Sequence, residues 1–290
     1  MRYPEVRRSL PARAGRRVLR ALGRPPQIDH LPALDLTAED IVVVPEIMPR
    51  LAQIAPQARK AVFNQNAYLT FAPFPLDVEP GELVYARPDL LGAIVVSKDS
   101  RLYLQTLFPS LRVRRVHQGI DPQIFTFSPR KKRQIAYMPR KNREDLHQVL
   151  LRLRLTGRLK GWDVVEIDDR TELETGELLR ESAVFLSSGH PEGFGLSAAE
   201  AMSAGCIVVG YHGYGGREFL TEDLAFPVAV GDIVAFTDRV AEILEKLETR
   251  PDALRRRAER ASRFIAENYS LDREETDLLT IWGEFAGHPK

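Results

Sequence analysis

The chain holds a single cysteine, Cys206, in 290 residues. One thiol excludes an intrachain disulfide, which fits a reducing compartment and leads to the expectation of a cytoplasmic address. Its apolar neighbours mark Cys206 as an inert core residue. No apolar run reaches the roughly 18 residues of a membrane span, and the N-terminus lacks the apolar core of a secretory signal. An excess of one charge is missing too. The formal net charge is +1, which excludes a general polyanion binder and gives no reason to expect nucleic acid as a partner. A D-x-D metal motif is absent. The nearest match, Asp77 and Glu79, lies in a proline loop and reads as solvated, so no metal is expected. Internal repeats and low-complexity segments are absent as well.

What is present is ordinary for a globular protein: 44% hydrophobic and 28% charged residues. The length suits one large domain or two small ones with real cores. Charge is unevenly placed. Residues 1–24 carry Arg2, Arg7, Arg8, Arg13, Arg16, Arg17, Arg20 and Arg24 against Glu5 alone. That basic arm reads either as a solvated tail or as a peripheral contact with an anionic membrane face, the inner face for a cytoplasmic protein. Pro4, Pro11 and Gly15 prevent one long helix there.

Short apolar runs alternate with helical stretches. "IVVVPE" from Ile41, "KAVFNQ" from Lys60, "GAIVVS" from Gly92 and "RVRRVHQG" ending at Gly119 read as one set of strands. "RQIAYMP", "WDVVEID", "SAVFLSS", "CIVVGY" and "LAFPVAV" form a second set between Arg133 and Val230. Most are continuously apolar, as strands buried on both faces of a parallel sheet are. The alternation predicts an α/β fold. Proline and a basic cluster in Asp121–Gln134 separate the two sets. The expected division is an arm over 1–24, a first domain over 25–122, a second over 123–268, and a C-terminal helix over 269–290 that packs back on the first domain.

The stretch "HPEGFGLSAAEAMSAG", His190 to Gly205, carries the chemistry. A buried strand ends at Ser188, a glycine loop follows, and a helix begins near Leu196. Ligands of open α/β sheets bind beyond the carboxyl ends of the strands. Gly193 and Gly195 let backbone approach a ligand closely, and the helix start beyond them offers free N–H groups to a phosphate. Glu192 reads either as a first-turn acid or as an acceptor for ligand hydroxyls. Glu200 sits among Ala198, Ala199 and Ala201 with no cation at its i±3 or i±4 positions. It reads either as an exposed helix residue or as a carboxylate awaiting hydroxyl donors. Phosphate donors beside two hydroxyl acceptors describe a sugar nucleotide.

From "EGFGLSAAEAMSAGCIVV" the chain resembles the E-x7-E signature of retaining GT-B glycosyltransferases, the sucrose-phosphate-synthase-like group of glycosyltransferase family 4. "VHQGIDPQIF" from Val116, "VVSKDSRLYL" ahead of it and "AENYSLDREETDLLTIW" near the end are similar to further segments of that group. The resemblance covers roughly Ile94 to Phe285. It implies two Rossmann-like parallel-sheet domains facing a cleft, the N-terminal one reduced here.

By the same resemblance Glu192 contacts the transferred sugar and Glu200 the ribose. The amides of Gly193, Phe194 and Gly195, with Leu196 at the helix start, face the diphosphate. The group uses an Arg and a Lys after the first strand of the second domain for that diphosphate. Arg140, Lys141 and Arg143 stand there, with Pro139 and Asp145 where the group has Gly and Lys. Gly215 and Gly216 resemble its Gly-Gly turn near the donor. The implied activity is metal-independent, retaining transfer of a hexosyl or deoxyhexosyl group from a nucleotide diphosphate sugar, with no cofactor. The acceptor is a saccharide or lipid-linked saccharide, as in polysaccharide biosynthesis. A non-catalytic binding relative and a nucleotide-sugar epimerase of the same fold are the competing readings.

For the acceptor side, Asn64 and Asn66 at a strand end and Glu46 at another read either as turn residues or as sugar contacts. His117 reads as structural, and His212 as a cap of its own loop. Asp168 and Asp169 either reach a base or begin a turn.

Overall fold

Residues 36–53 and 55–287 are described by a computed structural model. The basic arm expected at 1–24, and with it the membrane contact, lies outside them. Two wholly parallel sheets organise the chain. The first has the order β1-β2-β3-β4 and comprises Ile41–Pro45, Arg59–Asn64, Leu90–Val95 and Val113–Arg115. The second has the order β6-β5-β7-β8-β9. Its strands are β5 (Lys132–Tyr137), β6 (Asp163–Glu166), β7 (Ser182–Ser187), β8 (Ile207–Gly210) and β9 (Phe226–Pro227). The chain passes from one sheet to the other between Arg115 and Lys132.

The β-branched runs explain the central strands: every residue of β7 and β8 is buried. Several strands are shorter than the stretches that predict them, β4 and β9 most of all. β4 keeps three residues, and β9 keeps two because it is an edge strand that contains Pro227, which has no N–H for a ladder.

Seven α-helices are described. α1 (Lys98–Leu107) follows β3, and Ser97 caps it by accepting from Ser100 N. α2 (Arg143–Leu155) follows β5, α3 (Glu172–Glu181) follows β6 with a Thr171–Glu174 capping box, and α4 (Leu196–Ser203) joins β7 to β8. α5 (Ile233–Thr249), α6 (Asp252–Asn268) and α7 (Leu271–Ala286) close the chain. No described helix is long and apolar enough to cross a membrane.

One apolar core runs between the sheets. Ile94, Val96, Val116 and Ile120 join Phe185, Phe194, Ala198, Tyr269, Ile281 and Phe285 in it. α7 therefore lies against the first sheet. Gly92 faces the Phe285 ring so closely that a Cβ there would sit 2.8 Å from it. His117 donates its backbone N–H to Asp277 at 2.9 Å and brings its ring nitrogen to 2.6 Å from the same carboxylate. His117 is thus a brace between the β4 exit and α7.

Candidate active site

In a parallel sheet all carboxyl ends lie on one edge. Those two edges face each other here, because the loop after β7 meets the loop after β2. A Cβ on Gly193 would lie 1.8 Å from Gln65 O. The same glycine backs onto Gly215, where a Cβ would lie 2.1 Å from Gly193 O. Only residues without side chains allow three backbone segments to meet at this spacing. Gly195 has φ 101°, a second demand for glycine, and turns the loop into α4.

The loop leaves its amides free. Among the described residues, none of the five N–H groups from Gly193 to Ser197 donates a hydrogen bond, and Gly195 caps the helix without a side chain. Buried backbone donors are almost always paired, so this run is an anion cradle at a helix start. Phe194 contributes only its backbone. Its ring is buried, 5.0 Å from both Phe219 and Tyr269. Leu196 leaves its side chain exposed and brings one of the free amides. Gly216 is tied back by its N–H to His212 O at 2.9 Å, and His212 Nδ1 accepts from Tyr214 N at 3.0 Å. His212 thus caps its own turn.

Arg140 and Lys141, just past β5, reach the same place. The Glu192 carboxylate pairs with Lys141 Nζ at 3.1 Å and Arg140 Nη2 at 3.4 Å. Lys141 Nζ also donates to Pro191 O. Burial pulls the Lys141 ammonium below its ordinary pKa, and Glu192 partly offsets this. Arg143 turns away and pairs with Glu166 at 3.3 Å. Its exposed guanidinium thus pairs away from Glu192, unlike the cations of Arg140 and Lys141. Asp145, in the place of the expected Lys, accepts from Tyr211 Oη at 2.8 Å and braces α2 against the β8 exit.

Glu200 projects from the second turn of α4. Among the described residues no hydrogen bond and no ion pair reaches its carboxylate, though part of its surface stays open to solvent. Crowding by the surrounding protein raises its pKa to about 7, with Glu172 adding to the rise and Arg140 opposing it. A partly buried acid without a donor among the described residues lacks the partner that removal from water calls for.

The acceptor-side expectations need correction. Asn64 is fully buried inside the first domain, and its amide donates to Thr70 Oγ1 and Tyr85 Oη, both at 2.8 Å. Glu46 is buried too and accepts from the backbone N–H of Gln65 and Asn66, both at 3.1 Å. It shapes the β2 exit instead of facing a ligand. Asn66 caps a 3₁₀ turn and donates to Pro191 O at 3.3 Å, a bond between the two sheets' loops. The polar side chains at 64 and 66 are buried, and the one between them is exposed. Gln65 is exposed, and its side chain makes no hydrogen bond among the described residues. Its backbone carbonyl is the group that lies against Gly193.

Two parallel sheets with opposed carboxyl edges, and an anion cradle between them, define the GT-B fold. Residues 167–262 match the model of the family Glycosyl transferases group 1. An alpha-1,6-glucosyltransferase of Actinobacillus pleuropneumoniae serotype 7 is 23% identical over 279 residues, spanning 92% of this chain and 81% of that one. These matches support a glycosyltransferase of the GT-B superfamily, the family model covering about a third of the chain.

Solved structures agree on the fold. Sucrose-phosphate synthase from Thermosynechococcus elongatus superposes with a TM-score of 0.64 at 12% identity, over 96% of this chain and 77% of its own. A mutant of S. aureus TarM in complex with fondaparinux, alpha-GlcNAc-glycerol and UDP superposes with a TM-score of 0.63 at 14% identity. That superposition covers 85% of this chain and 56% of TarM, so the chain spans little more than half of that protein's length.

Proposed function

We propose that this chain is a retaining glycosyltransferase that moves a sugar from a nucleotide diphosphate donor to a saccharide or lipid-linked saccharide. The observation that carries the reading is the run of five N–H groups at 193–197 that are unpaired among the described residues, beside two cations and one acid with no partner among those residues. The diphosphate of the donor takes the free amides together with Arg140 and Lys141. Glu200 accepts from the two ribose hydroxyls. UDP is present in the TarM structure, which supports a nucleotide of this kind.

Glu192 now holds the two cations, and the incoming diphosphate, with its higher charge, displaces it. The freed carboxylate turns to the hydroxyls of the transferred sugar. As the bond from the anomeric carbon to the diphosphate breaks, the acceptor oxygen bonds to that carbon on the same face and passes its proton to the leaving diphosphate, whose charge Arg140 and Lys141 stabilise by positioning and preorganised charge. Gln65 is placed to meet the sugar or the acceptor from the first domain. As a neutral amide it orients hydroxyls and does not carry a proton.

The test is a donor panel with purified protein, varying base and sugar, read by release of nucleoside diphosphate with and without saccharide acceptors. Release that depends on an acceptor, with the anomeric configuration of the donor preserved in the product, is the expected result. Interconversion of the nucleotide sugar without an acceptor, or no turnover of any donor, would overturn the reading.

A further inference from the structure

Asn142 joins the cation pair to the loop that carries Glu192. It stands at the N-cap position of α2 with φ 49° and ψ 45°, in the left-handed region that Asn tolerates better than most residues. An N-cap side chain ordinarily serves the helix's own amides. Asn142 makes no such bond. Its Nδ2 instead donates to the exit of the neighbouring strand β7, to Ser188 O at 2.8 Å and His190 O at 3.1 Å. Ser188 Oγ returns a bond to Lys141 O at 2.7 Å, and Lys141 Nζ donates to Pro191 O. Three consecutive residues, 140–142, are therefore laced to residues 188–192 from both sides.

We propose that Asn142 is a positioning residue for the donor. Its amide fixes the spacing between the diphosphate cations and the sugar-facing loop, so that both ends of one donor are met at once. The left-handed turn allows this, because it sends the backbone into α2 while the side chain points back at the loop. The inference rests on the proposed function and deepens it. Asn142 touches no reacting atom, so its effect passes through Lys141 and the 188–192 loop.

Two substitutions separate the amide from the backbone. Asn142→Gly keeps the left-handed turn and removes the amide. Asn142→Asp keeps the side-chain shape, removes both donors and sets a carboxylate against two carbonyl oxygens. UDP, ADP and GDP are titrated by calorimetry into the wild type, and the tightest binder is carried through both variants, Lys141→Ala and Asn142→Gly/Lys141→Ala.

The expected result is about tenfold weaker binding in each Asn142 variant, with little further loss when Asn142→Gly is added to Lys141→Ala. The thermal midpoint of Asn142→Gly should stay close to that of the wild type. Unchanged affinity in Asn142→Gly, or losses that simply add to those of Lys141→Ala, would overturn the positioning role and leave the proposed function standing. Failure of the wild type to bind any of the three would overturn both.

Discussion

Glu192 and Glu200 are eight positions apart and behave as opposites. Among the described residues Glu192 is paired twice and Glu200 not at all. The pairing of Glu192 leads to a prediction that runs against the usual effect of removing a binding-site charge. Glu192→Gln should bind inorganic pyrophosphate roughly three- to tenfold more tightly than the wild type, since a competing carboxylate is gone. Its transfer rate should fall. Calorimetry and a transfer assay on the same preparation check the two halves.

Glu200 supplies a pH test. Its carboxyl is raised from 4.5 to about 7 in the fold. Between those values the folded state holds the proton and the unfolded state does not, so stability falls as pH rises through that window. Above about 7 the full penalty is present, and below 4.5 it vanishes. Glu200→Gln should therefore raise the thermal midpoint at about pH 8 and leave it nearly unchanged at about pH 4. Thermal scans at the two pH values decide the matter, and equal shifts at both would refute the assignment.

Among the elements, the loop from Ser188 to Gly195 was the most legible in the sequence. Its glycines sit where backbones converge and where φ is positive. Gly193→Ala should force the β7 loop away from Gln65, because a Cβ 1.8 Å from a carbonyl oxygen cannot be absorbed by side-chain motion. Loss of donor turnover together with a lowered thermal midpoint is the expected outcome.

Other elements were less readable. The runs of β-branched residues located the parallel strands, yet they did not show that β4 and β9 stop after three and two residues. Pairing length depends on neighbours, which a single run does not reveal. The β2 exit was the least legible. "NQN" offers three polar side chains, and only tertiary packing decides which two turn inward to Thr70, Tyr85 and Pro191 and which one remains exposed. Glu46, an acid after a strand, likewise looked free. In the fold it is spent on two backbone amides. Asn142 had no sequence signal beyond its place next to Lys141, because its partners lie 46 and 48 residues away.

At the scale of the molecule, the core that joins the two sheets makes α7 part of the scaffold that sets the cleft. Phe285 is buried against Gly92 of β3. Phe285→Ala should cost about 3–5 kcal/mol, as large-to-small changes of buried aromatics do. It should lower the denaturation midpoint while leaving residues 140–142 and 188–200 chemically intact. Chemical denaturation followed by tryptophan emission tests this, with Trp282 on α7 itself as a local probe.

If the facing strand ends bind a nucleoside diphosphate with Glu200 on its ribose, isothermal titration of nucleoside diphosphates into the wild type and Glu200→Ala reads it out most directly. The wild type should bind, and the variant should lose about 1.5–3 kcal/mol, the worth of hydrogen bonds to a charged group. Binding of equal strength in Glu200→Ala would contradict that placement.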